Sequence, residues 1–171
     1  GYPDQALARL QEALELTQTL ASPFNRAHFL ACAAAIYLNR GEPHEAQTHA
    51  DACRNLSQEQ AFPHWLALST TLAGSALAAQ GRAQQGVEAM QRGIRAWRGI
   101  GAQQSVTYQL ALLTEVCAKS GRVDDGFRTL AEGLALAEQT DERYHLADLH
   151  RLQGDLLLAQ SAANEAEAQA S

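Results

Sequence analysis

Glycine returns at a fixed interval along this chain: Gly1, Gly41, Gly81 and Gly121 are evenly spaced, forty positions apart. A self-similar period of about 20–50 residues marks a chain built from stacked supersecondary units. Neighbouring columns carry the same period. Five residues after the glycines come Ala6, Ala46, Gly86 and Gly126, with Ala166 next in line. Seven residues before the later glycines come Ala34, Gly74 and Thr114, with Gly154 following. Twelve residues after them come Ala13, Cys53, Gly93 and Gly133. Every member is small, as tightly packed antiparallel helices require where one backbone approaches another. Larger apolar residues fill other columns: Leu10, Ala50, Met90 and Leu130; Tyr37, Leu77, Cys117 and Leu157; Cys32, Leu72, Leu112 and Leu152.

Each unit reads as two helices. Around Gly81, residues 63–80 place Leu66, Ala73 and Leu77 on one side, and Gly81-Arg82 stops the helix. Residues 83–97 then carry Val87, Met90, Ile94 and Trp97 at helical spacing. Ser22-Pro23 reads as an N-cap followed by proline in the first turn, and Thr140-Asp141-Glu142 puts acid at a positive helix end. Phe62-Pro63 repeats the Pro23 position one period later. The predicted map is an opening second helix over 3–20, then pairs over 23–40 with 43–58, 63–80 with 83–98, and 104–120 with 123–138. A further first helix covers 142–160, and a last fragment starts near 163, where Asn164-Glu165-Ala166 matches a second-helix start. No linker divides the chain. The expectation is one repeat domain over 1–171, with about four helix pairs, cut from a longer protein whose neighbours would cover its end faces.

Composition narrows the function. The 171 residues are 46% hydrophobic and 19% charged, enough to bury a core and too apolar for a disordered tail. Ala and Leu dominate over β-branched residues, which favours helix. With 13 Lys+Arg against 19 Asp+Glu the net charge is −6, and no basic patch of the kind that embraces nucleic acid is visible. No apolar run approaches the roughly 20 residues that span a bilayer, and the start, Gly1-Tyr2-Pro3-Asp4, is no signal peptide. Cys32, Cys53 and Cys117 are odd in number and far apart, which points to a reducing cytoplasm.

At these columns the sequence resembles a tetratricopeptide repeat array. The best unit runs from Thr70 to Trp97, where Gly74, the Gln80-Gly81 turn, Gly86 and Gly93 fall at the family's small positions. Leu30, Ala34 and Tyr37 repeat the spacing one unit earlier. The likeness covers nearly the whole chain. It departs in its period, forty against about 34, in Met90 and Ala50 where the family has an aromatic, and in lacking a closing proline. It implies an all-α solenoid of antiparallel helix pairs, a tetratricopeptide-like superhelix. Gly41-Glu42-Pro43-His44-Glu45-Ala46 and Leu149-His150-Arg151-Leu152-Gln153-Gly154 also resemble helical regions of large bacterial signalling proteins. There such repeats follow an ATPase module, with a nucleotide cyclase or a DNA-binding regulator at one end.

Catalytic and ligand constellations lose to plainer readings. His44 and His49 are five apart, as are His145 and His150. Five helical steps leave two side chains about 140° apart, a poor arrangement for a shared metal. The three cysteines lie in apolar columns and read as small core hydrophobes. No phosphate-binding glycine loop is present. Glu132, Glu138 and Asp141-Glu142 read as helix surface. Trp65 and Trp97 are candidate binding aromatics weighed against core packing. No catalytic residue, metal or cofactor is assigned.

The resemblance puts the first helix of each pair on the concave side. The candidate partner-binding residues there are His28, Asn39, Thr71, Ser75, Tyr108, Glu115, Lys119, Asp148, Arg151 and Asp155. Glu115 and Lys119 share one helix face, and Asp148, Arg151 and Asp155 share another. They read equally as surface ion pairs worth at most about 1 kcal/mol or as a polar groove for a peptide, with Tyr108 as aromatic anchor.

Three functions follow. The first is a non-catalytic scaffold that binds a protein or peptide. The second is a spacer or self-association element, a homo-oligomer formed through exposed end helices. The third is a ligand-sensing domain that biases an attached catalytic or DNA-binding domain. An enzyme comes last.

Overall fold

The computed structural model describes residues 2–170, with the side chains of residue 3 and of residues 162–170 outside that description. Gly1 and the Ala166 side chain therefore lie outside the described residues. The fold is an all-α solenoid of antiparallel helix pairs: α1 Pro3–Thr19, α2 Pro23–Asn39, α3 Pro43–Glu59, α4 Pro63–Ala79, α5 Ala83–Gly99, α6 Val106–Lys119, α7 Val123–Thr140 and α8 Leu146–Ala170. It divides into two compact units, Gly1–Gln103 and Gln104–Ser171, a boundary that nothing in the sequence pattern marks.

The turns recur at half the period of the glycine column, every twenty positions. The first five helices are each 17 residues long, about 25 Å at 1.5 Å per residue. Positive φ angles fall on this interval at Ala21, Gly41, Ala61, Gly81, Gly101, Gly121 and Asp141, and off it at Ser105, which precedes α6. At Gly41 the φ is +73°. Its N–H bonds to the Leu38 carbonyl at 3.0 Å, and the Glu42 N–H reaches back to Tyr37 at 2.9 Å. This crossed pair satisfies carbonyls that a helix end leaves unpaired. Glu42 then caps the next helix, its carbonyl accepting from Ala46 at 3.1 Å. Proline opens α1, α2, α3 and α4, a position whose N–H has no helical partner in any case.

Several local expectations are corrected. Ser22 is the N-cap of α2 with Pro23 in its first turn, as expected, but its side chain makes no capping bond. Thr140 closes α7, and Asp141 is a left-handed C-cap rather than a helix start. The helix expected from 142 begins at Leu146. It then runs unbroken to Ala170, so no separate helix starts near 163. Position 161 holds serine where the turn column has glycine, and nothing there stops a helix.

In the first unit each helix packs on its successor, and α2 also packs on α4. Its core is rich in alanine, with Ala27, Ala34, Ala46 and Ala50 fully buried, and larger Leu72 and Met90 deeper in the α4–α5 pair. In the second unit α6 packs on α7, α7 on α8 and α6 on α8. That core is leucine: Leu130, Leu149, Leu152 and Leu156, with Phe127 and Leu134 against them.

Candidate functional site

In the first unit the neighbouring first helices α2 and α4 carry an aromatic cluster. Proline fixes where each begins, so Phe24 and Trp65 enter from their first turns. The Phe24 ring meets Phe62 edge-on at 5.3 Å and Trp65 at 5.6 Å. His28, one turn further along α2, stacks flat on Trp65 at 5.0 Å and 7°. Phe24 is 51% exposed, and His28 is exposed too. The arrangement offers ring faces to solvent on a platform braced by its own stacking.

The other residues predicted for this unit fare differently. Asn39 is exposed in the last turn of α2. Thr71 is completely buried, its hydroxyl donating to the Ala67 carbonyl of its own helix. Ser75 is buried as well. Neither offers a side chain to a partner on an open face. Thr71 sits where α4 presses on α5, beside Gly93, and a short polar residue is what that narrow seam admits.

In the second unit Tyr108 is half-buried and packs on His145, ring centres 5.2 Å apart. Tyr144, 86% exposed, meets His145 edge-on at 4.8 Å. Burial pushes the His145 imidazole below the usual histidine range, against the pull of Glu142 and Asp148. The predicted charges are satisfied within their own helices. Lys119 pairs with Glu115 at 2.7 Å. Arg151 lies between Asp155 at 2.8 Å and Asp148 at 3.8 Å. All three α8 residues are exposed, so these pairs add little stability and remain open to exchange with a partner.

Cys53 and Cys117 sit as core residues, whereas Cys32 is only half-buried. Cys53 is fully buried, and burial raises its thiol above the usual range. Burial carries Cys117 to about 11. Such thiols stay protonated and are poor nucleophiles. His49 stacks on Tyr37 at 5.2 Å, and burial lowers its basicity. Among the described residues no group of three or more His, Cys, Asp or Glu could hold a metal ion. No helix among them is long and apolar enough to cross a membrane.

Residue-by-residue reading singled out His28 and weighed Trp65, but it missed Phe24 and Phe62. A signal was present. Both flank helix-opening prolines, and Pro3, Pro23, Pro43 and Pro63 recur every twenty positions. The longer period of the glycine column masked this shorter interval.

No protein-family model matches the chain, and no curated protein matches it. Solved structures do. One is that of nearly identical TPR-like repeats from Podosopora anserina, described as a candidate kinesin light chain. It aligns over 98% of this chain and 85% of its own, with a TM-score of 0.58 and 19% identity. A single-substitution variant of that protein aligns over 98% and 84%, with a TM-score of 0.59 and 19% identity. At that identity the likeness establishes the tetratricopeptide-like fold.

Proposed function

We propose that this chain is a non-catalytic scaffold that binds a protein or peptide on the exposed faces of its first helices. The observation that carries this reading is the solvent-facing Phe24–His28–Trp65 stack on adjacent helices. Rigid aromatics with exposed faces are favoured anchors in protein interfaces. On the second unit, taken by itself, Tyr108 and the exchangeable Arg151 would serve as contacts. The setting would be cytoplasmic, within a larger bacterial signalling or regulatory protein, as the sequence resemblance implies. Capture from source-cell lysate tests the reading. Wild type is compared with Phe24→Ala/His28→Ala and with Tyr108→Ala/Arg151→Glu, each folded by circular dichroism. A protein retained by wild type and lost from a variant places binding on that face. Identical captures for all three would remove it.

A specific observation favours self-association as the second reading. Gly154 has nothing within 4 Å of where a Cβ would lie, and Leu157 and Leu158 are 50% and 73% exposed. These three share one face of α8. They match Gly74, Leu77 and Ala78 of α4, the face that receives α5. On α1, Ala6 is exposed, as are Leu16 and Leu20. Among the described residues α8 packs only on α6 and α7, and α1 only on α2, and two copies could complete a pair head to tail. Light scattering across a concentration series decides: a Leu157→Glu/Leu158→Glu variant stays monomeric if wild type associates through this face.

A further inference from the structure

A separate surface opens between α3 and α5 in the first unit. The second helices α3 and α5 do not pack on each other, because α4 lies between them. The gap they leave is a groove of about 400 Å³. Pro63, Leu66 and Ala67 of α4 line it, joined by Ala96 and Ile100 from α5. The floor is therefore apolar. Ile100, just past the end of α5, is 38% exposed there.

Each wall carries an arginine. Arg54 projects from α3 and Arg92 from α5, with Gln58 beside the first and Thr70 on α4. Asp51 holds Arg54 at 2.8 Å, and Gln47 donates to the other oxygen of that carboxylate at 2.9 Å, so Arg54 is oriented before any partner arrives. Arg92 is exposed and forms no ion pair among the described residues. Of the three arginines and one glutamate in segment 83–99, only Arg92 lines the groove, in a chain whose net charge is −6. That glutamate, Glu88, already accepts from Gln84. At about 0.1 M salt, charges more than roughly 10 Å apart are largely screened, so these near arginines and not the overall charge decide what docks here.

We propose that the α3–α5 groove is a docking site for an acidic segment of a partner protein. An apolar side chain of that segment seats on Leu66, Pro63 and Ile100, and flanking carboxylates meet Arg92 and Arg54. An arginine fork accepts a carboxylate through paired N–H donors, and Gln58 can meet the segment's backbone. This surface is independent of the aromatic faces of α2 and α4, and it stands or falls separately from the scaffold reading.

The test uses the full chain labelled with ¹⁵N and a short synthetic peptide in which leucine is flanked by aspartate and glutamate. Comparison peptides replace the acids by asparagine and glutamine, or the leucine by glycine. Amide shifts are expected around Arg54, Gln58, Leu66, Arg92 and Ile100, with affinity falling as salt is raised. Both comparison peptides should bind more weakly. Arg92→Glu should weaken the acidic peptide by about fivefold, and Arg54→Glu/Arg92→Glu by more than tenfold. Arg92 is exposed and Arg54 is partly so, and circular dichroism checks that these variants fold. The proposal is overturned by shifts that fall elsewhere, by equal binding of the amide peptide, by binding that survives the double reversal, or by no binding at millimolar peptide. Tighter binding of an oligothymidylate than of the acidic peptide would also overturn it.

Discussion

In the α4–α5 pair the repeat's small column lies against main chain, whereas in the α7–α8 pair it lies against leucine side chains. A Cβ on Gly74 would stand 2.6 Å from the Gly86 carbonyl oxygen, and one on Gly86 would stand 2.5 Å from that of Gly74. One on Gly93 would meet the Ala67 carbonyl oxygen and the Thr71 nitrogen, each at 2.7 Å, and the Thr71 hydroxyl as well. Backbone cannot step aside, so here glycine is a requirement of the helix contact. At the equivalent positions of α7 a Cβ on Gly126 would meet a Leu156 methyl at 2.5 Å, and one on Gly133 a Leu149 methyl at 3.2 Å. A leucine tip can rotate. The same column in the same repeat thus records backbone contact in one unit and side-chain filling in the other.

Truncating the leucines should give the largest effect. Leu149 is fully buried, and Leu149→Ala removes the methyls that fill the space beside Gly133. Urea unfolding should record a loss of about 3 kcal/mol, as for other buried leucines. Adding Gly133→Ala to that variant should recover part of the loss. Strict additivity of the two changes would break the side-chain-filling account.

The glycines come next. Gly86→Ala and Gly93→Ala should each cost about 2 kcal/mol, since overpacking outweighs the helix-propensity gain. Gly133→Ala should be near neutral, within about 0.5 kcal/mol, because the same gain offsets a small shift of Leu149. If all three lose stability equally, the contrast between the units is wrong.

A smaller gain is expected at the turns. Ala61 has a φ of +54°, a region that disfavours any side chain with a Cβ. Ala61→Gly should raise stability by about 1 kcal/mol in thermal or urea unfolding. Gly41→Ala should lose a similar amount.

The smallest effect is on pH. Burial depresses His145 in the second unit and His49 in the first. Each is held neutral in the fold, so the unfolded chain takes up a proton first as pH falls. Their contribution is complete well above pH 6.5 and is lost as pH drops through the lower folded values. The melting temperature should decline below about pH 7. His145→Gln should flatten that decline, and an unchanged profile would show that His145 plays no part in it.

How much was legible follows from the physics of each feature. Helix ends could be read because they answer to local demands. Only certain residues tolerate a positive φ or a missing N–H, and Gly41, Gly81, Gly121 and the four prolines announce them. Where the signal residue was atypical the reading slipped. Ala21 and Ala61 hid the shorter interval between turns, and Ser161 gave no reason to stop α8. The predicted ion pairs were legible too, since spacing of three or four fixes which side chains meet on one helix.

By itself, then, the sequence determined the helix pairs, their turns and the small columns between them, because each depends on residues close along the chain. Tertiary structure alone decided which polar positions reach solvent. Thr71 and Thr114 are both buried, as completely as any leucine in the core. It also brought Phe24 and His28 onto Trp65, and Arg54 opposite Arg92 across an apolar floor. Those meetings join residues from different helices. They depend on how closely glycine and alanine let the helices approach, a distance that no spacing within one helix encodes.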